Sequence, residues 1–213
     1  MADAPATVFI VDNDQALRDS LQWLLESGGM TCQGFESAEA FLAACTPDRA
    51  GCLLLDVRLP GMSGVVLQDE LARLAIRLPV IVMTGYADVG TAVRMLKCGA
   101  FDFFEKPIAD AALLARVQQA IALDATRRRT RAQREAMTAR LARLTARERE
   151  VFDQVVHGKA NKVVAIEFGI SEKTVEVHRA RVMHKLGAAS LAELVRMDLT
   201  AQPTESMRLT MRA

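Results

Sequence analysis

The chain has no run approaching the roughly 18 uninterrupted apolar residues that a membrane helix needs. Its start, Met1 to Thr7, is not a basic segment followed by an apolar one. Neither a membrane span nor a secretory leader is expected, and the expected location is the cytoplasm. The four cysteines, Cys32, Cys45, Cys52 and Cys98, lack a CxxC or Cys/His ligand spacing. That argues against a metal-ligand set and predicts buried, reduced thiols. No internal repeat or low-complexity tract is present. Proline and glycine are missing from Ala109 to Arg143, so nothing there interrupts a long helix. Nor does either sign of charge dominate, with 27 Lys and Arg against 26 Asp and Glu.

The balance hides an asymmetry. Residues 1–123 carry 9 basic and 15 acidic side chains, a net −6, whereas 124–213 carry 18 and 11, a net +7. An acidic module suited to a cation is joined to a basic module suited to a polyanion. With 213 residues, 51% of them hydrophobic, the chain can build two ordinary domains, each with its own core.

Through the first half, short apolar runs alternate with amphipathic stretches. Val8 to Val11, Leu53 to Leu55, Val80 to Met83 and Phe101 to Phe104 read as buried strands, and Met30 to Phe35 as a weaker one. Between them, Leu17, Leu21, Leu24 and Leu25 follow Asp14, and Val89, Val93 and Leu96 follow Asp88, each a helical pattern opened by an acidic residue. Five βα units predict an α/β doubly wound five-stranded parallel sheet. The proline-free helix packs through Leu113, Leu114, Val117 and Ile121, then loses large apolar residues after Asp124, which reads as a solvated linker lacking a coiled-coil seam. The remainder predicts four helices: about Thr145 to His157, Asn161 to Phe168, Ser171 to Leu186 and Ser190 to Leu199. Thr145 and Glu148 form a capping box, and Ser171 caps the third helix after a turn at Gly169. The expected organisation is a domain at 1–123, a linker at 124–143, a helical domain at 144–199 and a disordered tail from Thr200.

Ligands bind such sheets at the carboxyl ends of the strands. There the chain places Asp12-Asn13-Asp14, Asp56, Thr84, and Lys106 before Pro107. Carboxylates, an amide, a hydroxyl and an ammonium at one edge suit phosphoryl transfer to a carboxylate, assisted by a hard cation such as Mg2+. Asp56 is the expected nucleophile. Asp12, Asn13, Asp56 and the backbone carbonyl of Arg58 are the expected metal ligands, with Thr84 and Lys106 on the phosphoryl oxygens.

These residues resemble the receiver domain family over nearly all of residues 7–123. The resemblance is carried by Ile10-Val11-Asp12-Asn13-Asp14, by Leu55-Asp56-Val57-Arg58-Leu59-Pro60-Gly61-Met62-Ser63-Gly64, by Met83-Thr84-Gly85 and by Glu105-Lys106-Pro107. It implies a flavodoxin-like fold and Mg2+-dependent phosphorylation of Asp56 by a sensor histidine kinase or a small phosphodonor. It also implies a switch at Thr84 and Phe103, and tuning of phosphoryl lifetime at Arg58 and Tyr86. One departure is visible. Receivers usually carry two acids where this chain has Asp12-Asn13, so either cation binding weakens or Asp14 compensates.

The second half resembles the DNA-binding domain of the LuxR, NarL and FixJ group over about Leu144 to Met197. The carrying blocks are Leu144-Thr145-Ala146-Arg147-Glu148-Arg149-Glu150-Val151, Gly158-Lys159-Ala160-Asn161-Lys162, Ile170-Ser171-Glu172-Lys173-Thr174-Val175-Glu176-Val177-His178-Arg179 and Met183-His184-Lys185-Leu186-Gly187. Taken as a whole the chain resembles FixJ-type regulators, which pair both domain types. The helix from Ser171 is suited to the major groove. Candidate DNA contacts on it are Lys173, Thr174, Val175, His178, Arg179, Arg181 and Lys185, with Lys159, Asn161 and Lys162 on the helix before. Val175 either meets a thymine methyl or packs inward. Leu191, Leu194 and Val195 of the last helix either pair with a second copy or belong to the core.

The expected function is a two-component response regulator, with a histidine kinase, promoter DNA and RNA polymerase as partners and a homodimer as the active form. It is not expected to be a turnover enzyme. Two alternatives stand beside it. One is an acylphosphatase-like or haloacid-dehalogenase-like enzyme, although the DxDx(T/V) motif of the latter is absent at Asp56. A phosphorylation-independent DNA-binding regulator with a structural receiver is kept open by Asn13.

Overall fold

The structure, a computed structural model, describes residues 5–85 and 89–202. Tyr86, Asp88 and the tail beyond Gln202 lie outside the described residues, so the expectations placed on them are not met by any observation. In chain order the elements are β1 (Thr7–Val11), α1 (Gln15–Ser27), β2 (Thr31–Phe35), α2 (Ala38–Ala44), β3 (Gly51–Asp56), α3 (Gly64–Arg73), β4 (Val80–Thr84), α4 (Val89–Lys97), β5 (Asp102–Glu105) and α5 (Asp110–Leu141), followed by α6 (Ala146–Val156), α7 (Asn161–Phe168), α8 (Glu172–Leu186) and α9 (Leu191–Ala201). The chain divides into compact units at 1–128 and 129–213, a boundary that falls inside α5. None of the described helices is long and apolar enough to cross a membrane.

In the first unit the strands pair in the order β2-β1-β3-β4-β5, all parallel. Alternation along each strand feeds two cores. Phe9, Val11, Leu53, Leu55, Val80 and Val82 pack with Phe41 of α2, Leu67 and Leu71 of α3 and Met95 of α4. On the opposite face Val8, Ile10, Leu54, Ile81 and Met83 pack with Leu21 and Leu25 of α1 and Leu113 and Val117 of α5. Strand order reverses between β1 and β3, so a crevice opens at their carboxyl ends. Two glycines permit close approaches. A Cβ on Gly64 would lie 2.4 Å from the Asp56 carbonyl, and one on Gly51, at φ +136°, would lie 1.8 Å from the Thr7 carbonyl.

Of the four cysteines, expected to be buried, only Cys52 is; Cys32 and Cys45 are half-buried and Cys98, just after α4, is exposed. The first unit runs past the expected boundary at 123. Asp124 is buried, and its Oδ2 accepts the Gly51 N–H at 2.9 Å. One turn on, Arg128 donates to the Asp48 carbonyl at 2.6 Å.

In the second unit α6 to α9 enclose a core of Val151, Phe152, Val155, Val164, Val175, Val182, Leu186 and Leu194, to which Leu141 of α5 adds. The caps are those read from sequence: a capping box of Thr145 and Glu148, and Ser171 accepting the Thr174 N–H. Gly169 closes α7 in the left-handed region at φ 64°, the conformation that favours glycine. α9 reaches Ala201, two residues into the expected tail.

Candidate functional site

β1 and β3 deliver Asp12 and Asp56 to the crevice from below, and both side chains are buried, at 1% and 5% exposure. Lys106, directly after β5, reaches across. Its Nζ donates to Asp12 Oδ2 at 2.7 Å and to Asp56 Oδ1 at 2.9 Å. The remaining carboxylate oxygens are also used: Asp12 Oδ1 accepts the Asp14 N–H at 2.9 Å, and Asp56 Oδ2 the Arg58 N–H at 3.0 Å. Thr84, buried at the end of β4, accepts the Lys106 N–H on its carbonyl at 2.7 Å.

Burial pushes the Asp56 carboxyl above the usual aspartate range, against the hydrogen bond and charge of Lys106 that pull it down, while the Asp12 charge adds to the rise. Burial works the other way on Lys106, but hydrogen bonds to Asp12 and Asp56 outweigh it and hold its pKa above the ordinary lysine value. The arrangement is a carboxylate–ammonium–carboxylate bridge of net charge −1 at the carboxyl edge of the sheet.

Other expected pocket residues lie around this bridge. Asn13 and Arg58 are exposed, and Phe103 is half-buried against the core on the α3 and α4 side. Asp14, offered as a substitute for a missing acid, caps α1: its Oδ1 accepts the Leu17 N–H at 3.2 Å. Sequence reasoning overlooked Arg18, whose guanidinium donates to the Asp12 carbonyl at 2.6 Å. Its position four residues after the Asp14 cap, one helical turn on, was the available signal.

In the second unit α8 separates into faces. Val175, Val182 and Leu186 are buried. Opposite them Lys173, Val177, Ala180 and His184 are exposed at helical spacing, flanked by exposed Thr174 and Arg181. Val175 is therefore corrected from a candidate base contact to a core residue, at 0% exposure. The apolar group that does face outward is Val177, 45% exposed. His178 is half-buried, with Nδ1 enclosed and without a hydrogen-bond partner among the described residues. Arg179 turns to α7 and donates to Asn161 Oδ1 at 3.1 Å. Lys162 is exposed, and Lys159 pairs with Glu167 at 2.6 Å. Lys185 is taken up by the buried Glu148 at 2.6 Å. Leu194 is likewise corrected from a dimer contact to a core residue at 0% exposure, because its side of α9 closes the core. Leu191 and Leu199 are exposed and Val195 is half-buried.

Residues 8–118 match the response regulator receiver domain family, and residues 142–198 match the bacterial regulatory proteins of the luxR family. The chain belongs to the response regulators. FixJ of Azorhizobium caulinodans is 48% identical over 91% of this response regulator and 92% of that protein. The response regulator protein TodT of Pseudomonas putida is 36% identical over 92% and 87%. Among solved structures, the response regulator StyR is similar at a TM-score of 0.83 with 40% identity, covering 91% of this chain and 98% of that one. Full-length FixJ from B. japonicum gives 0.57 with 39% identity, covering 92% and 97%. This is accordingly a FixJ-type response regulator, with a receiver domain and a DNA-binding domain, that regulates transcription within a two-component system.

Proposed function

We propose that Asp56 accepts a phosphoryl group from a sensor histidine kinase, and that the modification controls promoter binding by the second unit. The observation that carries this reading is the Lys106 ammonium bridging two buried carboxylates at the crevice. In the transfer, an Asp56 carboxylate oxygen forms a bond to phosphorus while the bond from phosphorus to the donor breaks, its electron pair leaving with the donor. Lys106 already holds one Asp56 oxygen and is placed to meet the phosphoryl oxygens. The Thr84 hydroxyl is drawn toward the new anion, and the space it leaves admits Phe103.

The pocket's donors are oxygens, which suits a hard cation, but they include one carboxylate fewer than the family's usual set. Asp12, Asp56, the Arg58 carbonyl and the Asn13 amide oxygen would hold Mg2+, which when bound neutralises charge on the phosphoryl oxygens. Intact-mass spectrometry of the chain incubated with Mg2+ and a small acyl-phosphate donor tests the assignment. One phosphoryl adduct is expected on the native chain and none on Asp56→Ala; an equal adduct on both would remove Asp56 from the role.

The outward face of α8, with Lys173, Thr174, Val177 and Arg181, enters the major groove of promoter DNA, and Asn161, Lys162 and Arg179 approach the backbone beside it. Leu191, Val195 and Leu199 recur at four-residue spacing on α9 and supply the contact with a second copy, and the promoter-bound dimer meets RNA polymerase. On this reading the protein acts on promoters and is cytoplasmic. The uncharged Asn13 favours a second reading, DNA binding independent of phosphorylation. Operator affinity compared with and without the phosphodonor separates the two.

A further inference from the structure

We infer that Asn13 leaves the resting pocket a weak binder of divalent cations, so that cation occupancy depends on the phosphoryl group. The inference rests on the proposed role of Asp56. Asp12 and Asp56 share the single Lys106 ammonium at 2.7 and 2.9 Å, so these three groups sum to one negative charge. The Arg18 guanidinium, 2.6 Å from the Asp12 carbonyl, adds a further positive charge at the rim.

Among the described residues no neighbouring acid makes up the deficit. Asn13 is exposed and uncharged, and Asp14 is exposed with its Oδ1 engaged at the N-terminus of α1. Among the described residues no three His, Cys, Asp or Glu side chains are gathered in a way that could hold a metal ion. Divalent-cation affinity follows the number of charged oxygens in the site, and each carboxylate at contact distance contributes attraction well above thermal energy. A phosphoryl group brings anionic oxygens of its own and supplies what residue 13 does not. By linkage, the cation and the phosphoryl group then favour each other to the same degree.

Calorimetric titration of the full-length chain with magnesium chloride, without a phosphodonor, tests this. Asn13→Asp tightens the Mg2+ Kd by about tenfold or more. Asp14→Asn keeps the helix cap, since asparagine caps as well as aspartate, and leaves the Kd within about twofold of the native value. Beryllofluoride, a phosphoryl mimic, tightens Mg2+ binding to the native chain by more than about tenfold. A Kd for Asn13→Asp within about twofold of native, a comparable weakening in Asp14→Asn, or no response to beryllofluoride would each overturn the inference. A native chain that takes no phosphoryl adduct would instead sink the assignment of Asp56, while the resting affinities of the two variants still judge Asn13.

Discussion

At Glu148 a single carboxylate does two jobs. It completes the α6 capping box by accepting the Thr145 N–H at 2.8 Å, and it pairs with Lys185 of α8 at 2.6 Å. The Lys185 hydrogen bond, followed by that from Thr145, lowers its pKa from 4.5 to about 2. Because the folded value lies below the unfolded one, the stability it lends is complete above about 4.5 and is lost as pH falls toward about 2. A carbon-detected NMR titration is expected to find the Glu148 carboxyl titrating near 2, and Lys185→Met is expected to raise that value. An ordinary glutamate titration in the native chain would break the link between α6 and α8. The capping box was readable in the spacing of Thr145 and Glu148. Its partner was not, since 37 residues separate Glu148 from Lys185 and a lysine on a basic helix looks like a DNA contact.

Strand β3 shows the same limit for whole elements. Its apolar run, like those of β1 and β4, announces a strand buried on both faces, and the polar residues ending each run mark the crevice, so the sheet and the Asp12, Asp56 and Lys106 constellation were legible. The far end of β3 was not. After Asp124 the sequence of α5 turns solvated, yet the Asp124 carboxylate is buried on the Gly51 N–H. Asp124→Ala leaves that buried N–H without this acceptor and is expected to cost about 1–3 kcal/mol, measured by urea denaturation followed by circular dichroism. Asp124→Asn retains an acceptor oxygen and is expected to lose less. Equal stability of all three chains would mean that the contact holds nothing. Val175 and Leu194 make a related point. Both had an inward and an outward reading, because a short amphipathic helix does not reveal which apolar side chain faces its neighbours until the packing is known.

For the whole molecule, near-neutrality conceals a basic half whose charge is partly used internally. Lys185 and Lys159 are paired with Glu148 and Glu167, whereas Lys173, Arg181 and Lys162 are exposed. A positive residue count therefore overstates the charge available to DNA. The salt dependence of operator binding separates the two groups, because each phosphate contact contributes about 0.9 to the slope of log affinity against log salt. Lys173→Ala is expected to reduce the slope by about that amount and to weaken binding to all sequences alike if its ammonium sits on a phosphate. A loss confined to one operator position, at unchanged slope, would place it on a base edge instead. Lys185→Met is expected to leave the slope unchanged and to show its effect in stability, since its ammonium already answers a buried carboxylate. A slope that falls as much for Lys185→Met as for Lys173→Ala would show that DNA displaces Glu148 from Lys185, and the division of α8 into an inward and an outward set of cations would fail.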